Sequence, residues 1–528
     1  MPIDAIVRAC RSRGMTGAAI LFALTVACGS RDKYVPGSVR QVLGIQTTEV
    51  RSAIAARMDS SSAPAWVTKE DWTRVRSLYK VFGDAPLWLE ADGVKDRASA
   101  LLQSLDEAPS HALQTFAYPI DSIRRVVDGE ALAKRATPAA LAEADVVLTA
   151  AFVAYASDML MGQVDPKTIS QAWHIAARKS EVDSALVRTL QTPNIASGLA
   201  AMVPQDSGYA VLRSEYARYQ NIVASGGWKT VSSGSGGTAL HDRLATEGYA
   251  VDSATGSQRE ALKSFQERHG LAPNGKLDGF TLTALNVSAE DRMHDIGSNM
   301  ERMRWLPRLL GSRYIYVNVP AFRLEAYDSG QKKLEMKVVV GAEYQGRATP
   351  VFSDSMEFVV FRPYWNVTPS IAAKEFFPKY GTALPAGYET YHEKGALRIR
   401  QVPGDRNSLG LVKFMFPNDF NIYLHDTPAK ALFDRADRAA SHGCIRLEKP
   451  DELAEFVLGW DADRVHAAMH GADNRTVNIP TKIPVYIVYF TAYALDGQLY
   501  FGDDLYNRDD QLDDKLKGDS LALPRVSG

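Results

Sequence analysis

Between about Trp66 and Tyr219 the apolar residues recur at helical spacing, as in Leu101, Leu102 and Leu105 and again in Leu148, Phe152, Tyr155 and Met159, which predicts an α-helical domain. Leu160-Met161-Gly162, followed by Val164-Asp165-Pro166, predicts a helix end. Tyr79, Trp88 and Trp173 fall in these segments and are expected to pack in the core. A second, smaller helical unit runs from Leu240 to Asn286. In it Leu240, Leu244 and Tyr249 share one amphipathic segment, and Ala261, Leu262, Phe265 and Gln266 open another that closes at His269-Gly270-Leu271. His269 is expected to cap that helix rather than to bind metal. Past Tyr314 the pattern becomes that of strands: Tyr316 to Val319, Lys337 to Val340, Phe358 to Phe361, Ile422 to Leu424 and Val485 to Phe490 are short, β-branched and aromatic. An insertion from about Ile371 to Leu409 interrupts them, with a helical turn at Lys374, Glu375, Phe376 and Phe377 and breakers at Gly381, Pro385 and Gly387, and its position suits a lid. After Asn507 the chain is polar and acidic and is expected to be poorly ordered.

The expected fold is thus multidomain α+β: a helical scaffold domain (66–224), a linker (225–238), a small three-helix unit (239–290), a β-rich domain (312–507) with a helical lid insertion (371–409), and a polar tail (508–528). A chain of 528 residues agrees, being too long for a single core. The linker assignment rests on the Gly and Ser residues between Ser225 and Gly237, a composition typical of flexible connections. A phosphate loop is the rival reading of those glycines, but no Gly-Lys-Ser/Thr follows them. With 46% hydrophobic and 23% charged residues and a net charge of -2, the chain reads as a soluble globular protein, and nothing in its charge suggests a nucleic-acid partner.

The three cysteines change the picture more. Cys10 and Cys28 lie at the N-terminus, where Arg8, Arg11 and Arg13 precede an apolar run from Met15 to Ala27, the layout of a secretory signal peptide over residues 1–28. The run is shorter than the roughly 20 apolar residues of a membrane span. Leu24-Thr25-Val26-Ala27-Cys28 resembles a bacterial lipoprotein signal, in which Cys28 would be lipidated and tether the protein to a membrane. Thr25 stands where that pattern prefers Leu, so ordinary cleavage and an uncleaved anchor stay open beside it. On any of the three the expected location is the periplasm or cell envelope, and the exported body keeps one cysteine, Cys444, with no disulfide partner.

Cys444 stands in Ser441-His442-Gly443-Cys444-Ile445-Arg446, downstream of Ile422-Tyr423-Leu424-His425-Asp426. A cysteine nucleophile needs a base, a group that orients the base, and donors for the oxyanion formed on attack at a carbonyl. His425, at a strand end, is the expected base and acid. Asp426 is the expected orienting residue, through its carbonyl or its carboxylate. Gly443 permits a tight turn that aims backbone N–H groups at one point, and Arg446 suits a substrate carboxylate. Asp434, Arg435, Asp437 and Arg438 read as a solvated charged face. One Cys and two His without a fourth ligand make a poor structural zinc site, so no metal or other cofactor is expected.

This arrangement resembles the catalytic signature of YkuD-type L,D-transpeptidases: a His, a gap, then Ser/Thr-His-Gly-Cys and a nearby Arg or Asn. Arg362 to Ser370, Leu409 to Phe414 with Pro417-Asn418, and Ile483 to Thr491 extend the resemblance to the larger periplasmic enzymes of the YcbB type, over roughly residues 66 to 508. One departure is Thr368-Pro369 after Val367, where the family has Pro directly. The run Leu262 to Leu271, with Asn274-Gly275 and Thr281 to Asn286, resembles the small peptidoglycan-binding domain.

The resemblance implies that Cys444 attacks the amide between meso-diaminopimelate and the terminal D-Ala of a peptidoglycan tetrapeptide stem. A second stem's diaminopimelate amine then resolves the acyl-enzyme into a 3-3 cross-link. His425 would carry the proton, His442 would be a positioning or oxyanion-hole element together with Gly443 and the Cys444 backbone, Arg446 would hold substrate, and Tyr423, Trp365 and Asn366 would line the cleft. It also implies inhibition by carbapenem-type compounds. Two other functions fit the same residues: a variant acceptor for the same acyl group (water, giving a carboxypeptidase, or a lipoprotein lysine), and a non-catalytic wall-binding protein. An intact His425 and Cys444 argue against the last.

Overall fold

The computed structural model describes residues 39–517 apart from 61, 134–135, 170–171, 176–178, 234–236, 250–254, 343–346 and 382, so the leader with Cys10 and Cys28, and residues 518–528, lie outside the described residues. The helical domain is built around one helix, Pro138–Met161, started by Thr137, whose side chain accepts from Ala140 N, and stopped at Gly162 with φ 87°. It is long and apolar enough to cross a membrane by length and composition alone, yet it is buried almost all round among neighbouring helices such as Thr47–Asp59 and Lys69–Val81. Of its two buried acids, Asp145 accepts from Tyr79 Oη (2.7 Å), Leu87 N (2.9 Å) and Trp88 N (2.8 Å). Tyr79 and Trp88 are therefore core residues as expected, each with its polar end satisfied. Val42, Val50, Ile54 and Met58 belong to the same core, so the helical domain begins ahead of residue 66.

The small unit packs Gly237–Thr246, Thr255–Arg268 and Gly279–Asn286 around Leu244, Phe265 and Leu285. Buried Gln266 staples the loop that follows, donating to Lys276 O (2.9 Å) and Thr281 Oγ1 (2.9 Å) and accepting from Gly275 N (2.8 Å). His269 Nδ1 donates to Phe265 O (2.8 Å), the expected cap. The Gly/Ser connection is not slack where it is described. Trp228 Nε1 donates to Val287 O (2.9 Å), Val231 exchanges two hydrogen bonds with the Asn286 side chain, and the Arg243 guanidinium lies 3.7 Å over the Trp228 ring. Composition indicated a flexible linker; one tryptophan within it seats the chain instead.

Glu247 draws three parts of the protein together. Its carboxylate accepts from Arg243 (2.6 Å) and from Tyr219 Oη of the helix Ser207–Ala224 (2.6 Å), and His269 Nε2 lies 3.3 Å away. His269 stacks at 5.1 Å on Phe501, from the hairpin Ala492–Leu495 and Gln498–Phe501. Scaffold, small unit and the end of the β-rich domain thus meet at one buried polar cluster. The helix Ala289–Trp305, unassigned from sequence, is a further bridge: Ile296 and Met300 lie in the scaffold core, and Trp305 packs edge-on to Trp173 (4.9 Å) in the core of the β-rich domain.

The β-rich domain is a mixed sheet that closes on itself. Its strands run in the order Gln331–Gly341, Ile445–Leu447, Leu424–His425, Val412–Met415, Phe352–Phe361, Arg475–Val488, Arg313–Asn318, Arg323–Asp328, and the last pairs back to the first part of Gln331–Gly341. The strand Leu424–His425 is parallel to Ile445–Leu447, with Leu424 opposite Ile445 and His425 opposite Arg446.

The lid departs from the helical expectation. It holds a helical stretch from Pro369 to Tyr380, including one π turn, but also a sheet of Tyr388–Glu393, Ala396–Gln401 and Trp365–Asn366. Thr368, the residue outside the family pattern, caps that stretch, with Pro369 at its first position. The lid's own core is small: Val367, Phe376 and Ile399, with Trp365 and Tyr388 packed against them. The acidic tail also differs from expectation, because Asp509–Lys517 forms a helix that buries Leu512 and Leu516 in the β-rich core and pairs Asp509 with Arg302 (2.5 Å). Two leucines at helical spacing among the aspartates carried that signal.

Candidate active site

Alternation along the strands decides which side chains gather. Ile422, Leu424, Ile445, Leu447, Val412 and Phe414 point into the core. The residues between them, Tyr423, His425, Cys444, Arg446 and Lys413, therefore share the opposite face, with Lys413 directly across from His425 and His425 across from Arg446.

His425 is buried, and its Nδ1 lies 2.5 Å from the Asp426 carbonyl oxygen. A carbonyl only accepts, so Nδ1 carries the proton and Nε2 presents a lone pair. The orienting group is thus the Asp426 backbone. The Asp426 carboxylate is engaged elsewhere, accepting from Leu411 N (2.8 Å) and Lys430 Nζ (2.8 Å). Burial, reinforced by Arg446 and Lys413, pushes the imidazole down to about 3, against hydrogen bonds to the Asp426 and Leu409 backbones that favour its charged form.

Cys444 is partly exposed, and its Sγ points to the Asn421 carbonyl at 3.7 Å. Burial raises the thiol above its ordinary value, opposed by the Tyr423 backbone and phenol and by Lys413 and Arg446. A neutral base beside a neutral thiol is the resting arrangement that these shifts favour.

Gly443, at φ 108°, makes the turn that sequence called for, and a Cβ there would meet Ile422 Cδ1 at 3.2 Å. Its N–H is already occupied, donating to Ser441 Oγ (3.2 Å), while Ser441 Oγ donates to the Cys444 carbonyl (2.5 Å) and Thr349 Oγ1 donates to the Gly443 carbonyl (2.9 Å). The backbone donor left for an oxyanion is the N–H of Cys444 rather than that of Gly443. Ser441→Ala removes the clamp on both sides of this turn and is expected to cost about 1–3 kcal/mol, the usual penalty for stranding buried polar groups. Thermal unfolding, read beside the rate of Cys444 acylation, checks it; unchanged values for both would deny the clamp.

His442 is exposed beside the site. Arg446 is half-buried, and among the described residues its Nε has no hydrogen-bond partner. Trp365 and Asn366 sit in the lid sheet, opposite Gln401 and Arg400. Asp434, Arg435 and Asp437 are solvated as expected, whereas Arg438 is half-buried over Phe322 (5.0 Å) and donates to the carbonyls of Val338, Arg435, Ala436 and Phe322. Lys413, Asn421 and Ser441 were not singled out from sequence. Lys413 was legible in one respect: it is a lone charge in an otherwise apolar strand, Val412-Lys-Phe-Met415. Among the described residues no group of three or more His, Cys, Asp and Glu converges as metal ligands would.

A family model described as an L,D-transpeptidase catalytic domain matches residues 312–487, one described as a scaffold domain matches 73–215, and one described as "Putative peptidoglycan binding domain" matches 233–285. The chain is 32% identical over 241 residues to a Haemophilus influenzae protein named "Putative L,D-transpeptidase", across 41% of this chain and 48% of that protein. It thus spans about half the length of the curated relative it matches. Of solved structures, "Structure of the Ldtfm-avibactam carbamoyl enzyme" is 13% identical with a TM-score of 0.17, over 35% of this chain and 51% of that one. The crystal structure of an L,D-transpeptidase from Xylanimonas cellulosilytica is 15% identical with a TM-score of 0.16, over 49% and 96%. At such scores neither likeness carries an argument. The chain carries a YkuD L,D-transpeptidase catalytic domain together with a scaffold domain and a peptidoglycan-binding domain.

Proposed function

We propose that this chain, with its L,D-transpeptidase catalytic domain, is an exported enzyme that joins peptidoglycan tetrapeptide stems by 3-3 cross-links through an acyl-enzyme on Cys444. The observation that supports the reading is the parallel pairing that sets His425 opposite Arg446, two residues past Cys444, with Nδ1 held at the Asp426 carbonyl.

In this reading Nε2 takes the thiol proton as Sγ attacks the carbonyl carbon of the diaminopimelate–D-Ala amide. The carbonyl oxygen takes up the charge beside the Cys444 N–H. Collapse breaks the C–N bond, and His425 returns its proton to the leaving D-Ala amine. A diaminopimelate amine of a second stem attacks the thioester, gives a proton to Nε2, and the thiolate departs to regain it. In this reading the Arg446 guanidinium holds a stem carboxylate. The peptidoglycan-binding domain would keep the enzyme at its substrate, and the basic, apolar leader, with Cys28 as its lipidation candidate, would carry it to the envelope.

Incubating the purified protein with tetrapeptide muropeptides and reading the products by mass tests this. Dimers joined between diaminopimelates, with one D-Ala released per bond, are expected. Trimmed tripeptides alone would make water the acceptor, and unchanged substrate would remove the enzymatic reading.

A further inference from the structure

Lys413 shares the face of Cys444 and His425, and its place is specific. The ammonium lies 4.2 Å from the centroid of the Tyr423 ring, and Lys413 stands opposite His425 in the ladder. The side chain is half-buried, and among the described residues no carboxylate bears on its ammonium, which burial and the Cys444 charge alone influence. Structural lysines at a protein surface are solvated or paired, and a desolvated ammonium held only by an aromatic face lacks a counter-ion.

We propose that the counter-ion is the sulfur itself: Lys413, docked on Tyr423, is a positioning residue that stabilises the Cys444 thiolate, leaving Arg446 for the substrate. Its reach to the sulfur passes through Tyr423, whose backbone N–H and phenol both favour the thiolate. The influence is mutual. Burial depresses the Lys413 ammonium while the Cys444 charge supports it, and Lys413 in turn pulls the thiol down against burial. The titratable groups on the face of Cys444 are Lys413 from one strand, Tyr423 and His425 from the next, and Arg446 from its own segment, with His442 exposed beside them. The proton balance is that of the attack step: the thiol proton goes to His425 Nε2, and the charge left on sulfur is what Lys413 meets. The proposal rests on Cys444 being the nucleophile.

The test is alkylation of Cys444 by iodoacetamide as a function of pH, in the full chain, read by mass on the peptide that contains Cys444 so that Cys10 and Cys28 do not interfere. Lys413→Gln is expected to slow alkylation on the order of tenfold at a pH below the midpoint, which is a midpoint shift of about one unit toward alkali, while Lys413→Arg keeps most of the wild-type rate. A profile for Lys413→Gln that overlays the wild type, in a protein with unchanged thermal unfolding, overturns the proposal. So does equal slowing in both variants, which would mean that shape rather than charge is at stake. Alkylation needs no peptidoglycan, so the outcome stands apart from whether cross-links are made.

Discussion

Cys444→Ala should yield a folded protein that forms no covalent adduct and has lost turnover by a factor on the order of 10⁴ or more, as when the nucleophile is taken from a catalytic unit whose parts act together. Cys444 is the sole cysteine of the described residues, and Tyr423, Lys413 and Arg446 all favour its thiolate against burial. The alanine removes little packing, because the thiol lies at the edge of the core rather than within it. Intact mass after exposure to tetrapeptide muropeptide, or to a carbapenem, is the readout, and an adduct that persists in the variant would end the assignment.

The same site sets an expectation for pH. With His425 at about 3 in the folded protein and about 6.5 in the unfolded chain, its neutral form contributes stability that is fully present above 6.5 and is lost as pH falls toward 3. The imidazole remains a base through that interval. Activity of the wild type should therefore lack the acid limb near 6.5 that an unperturbed histidine produces.

The second large effect is expected far from the sulfur. Glu247→Ala leaves Arg243 and His269 buried without their carboxylate and strands the Tyr219 hydroxyl, a loss of about 3–5 kcal/mol by analogy with broken buried pairs. Burial by itself would raise the Glu247 carboxyl, but His269, Arg243 and Tyr219 outweigh it and hold it below the ordinary carboxylate range. This contribution is present above about pH 4.3 and disappears as pH falls through the lowered folded value. Chemical denaturation of variant and wild type measures it, and a difference under about 1 kcal/mol would show that the cluster binds nothing together.

Much of this was legible in the chain. The long apolar helix, the cap at His269 and the change to strands near Tyr314 all rest on local pattern, which sequence carries directly. What stayed hidden depends on distant partners. Trp228 seats the linker only because Val287 and Arg243 come to it, and the tail helix forms because a groove receives Leu512 and Leu516. Lys413 gained its meaning from a ladder that sets it beside a histidine twelve positions later in the chain. The choice between the Asp426 carbonyl and its carboxylate was likewise decided by Leu411 and Lys430.

The insertion is held by three buried side chains and presents Phe377, Tyr380, Leu384 and Leu397 to solvent, whereas the barrel has a large core of its own. Cooperative units of such unequal size open at different free energies. The insertion can therefore open and re-form while the ladder that sets His425 opposite Arg446 keeps its register.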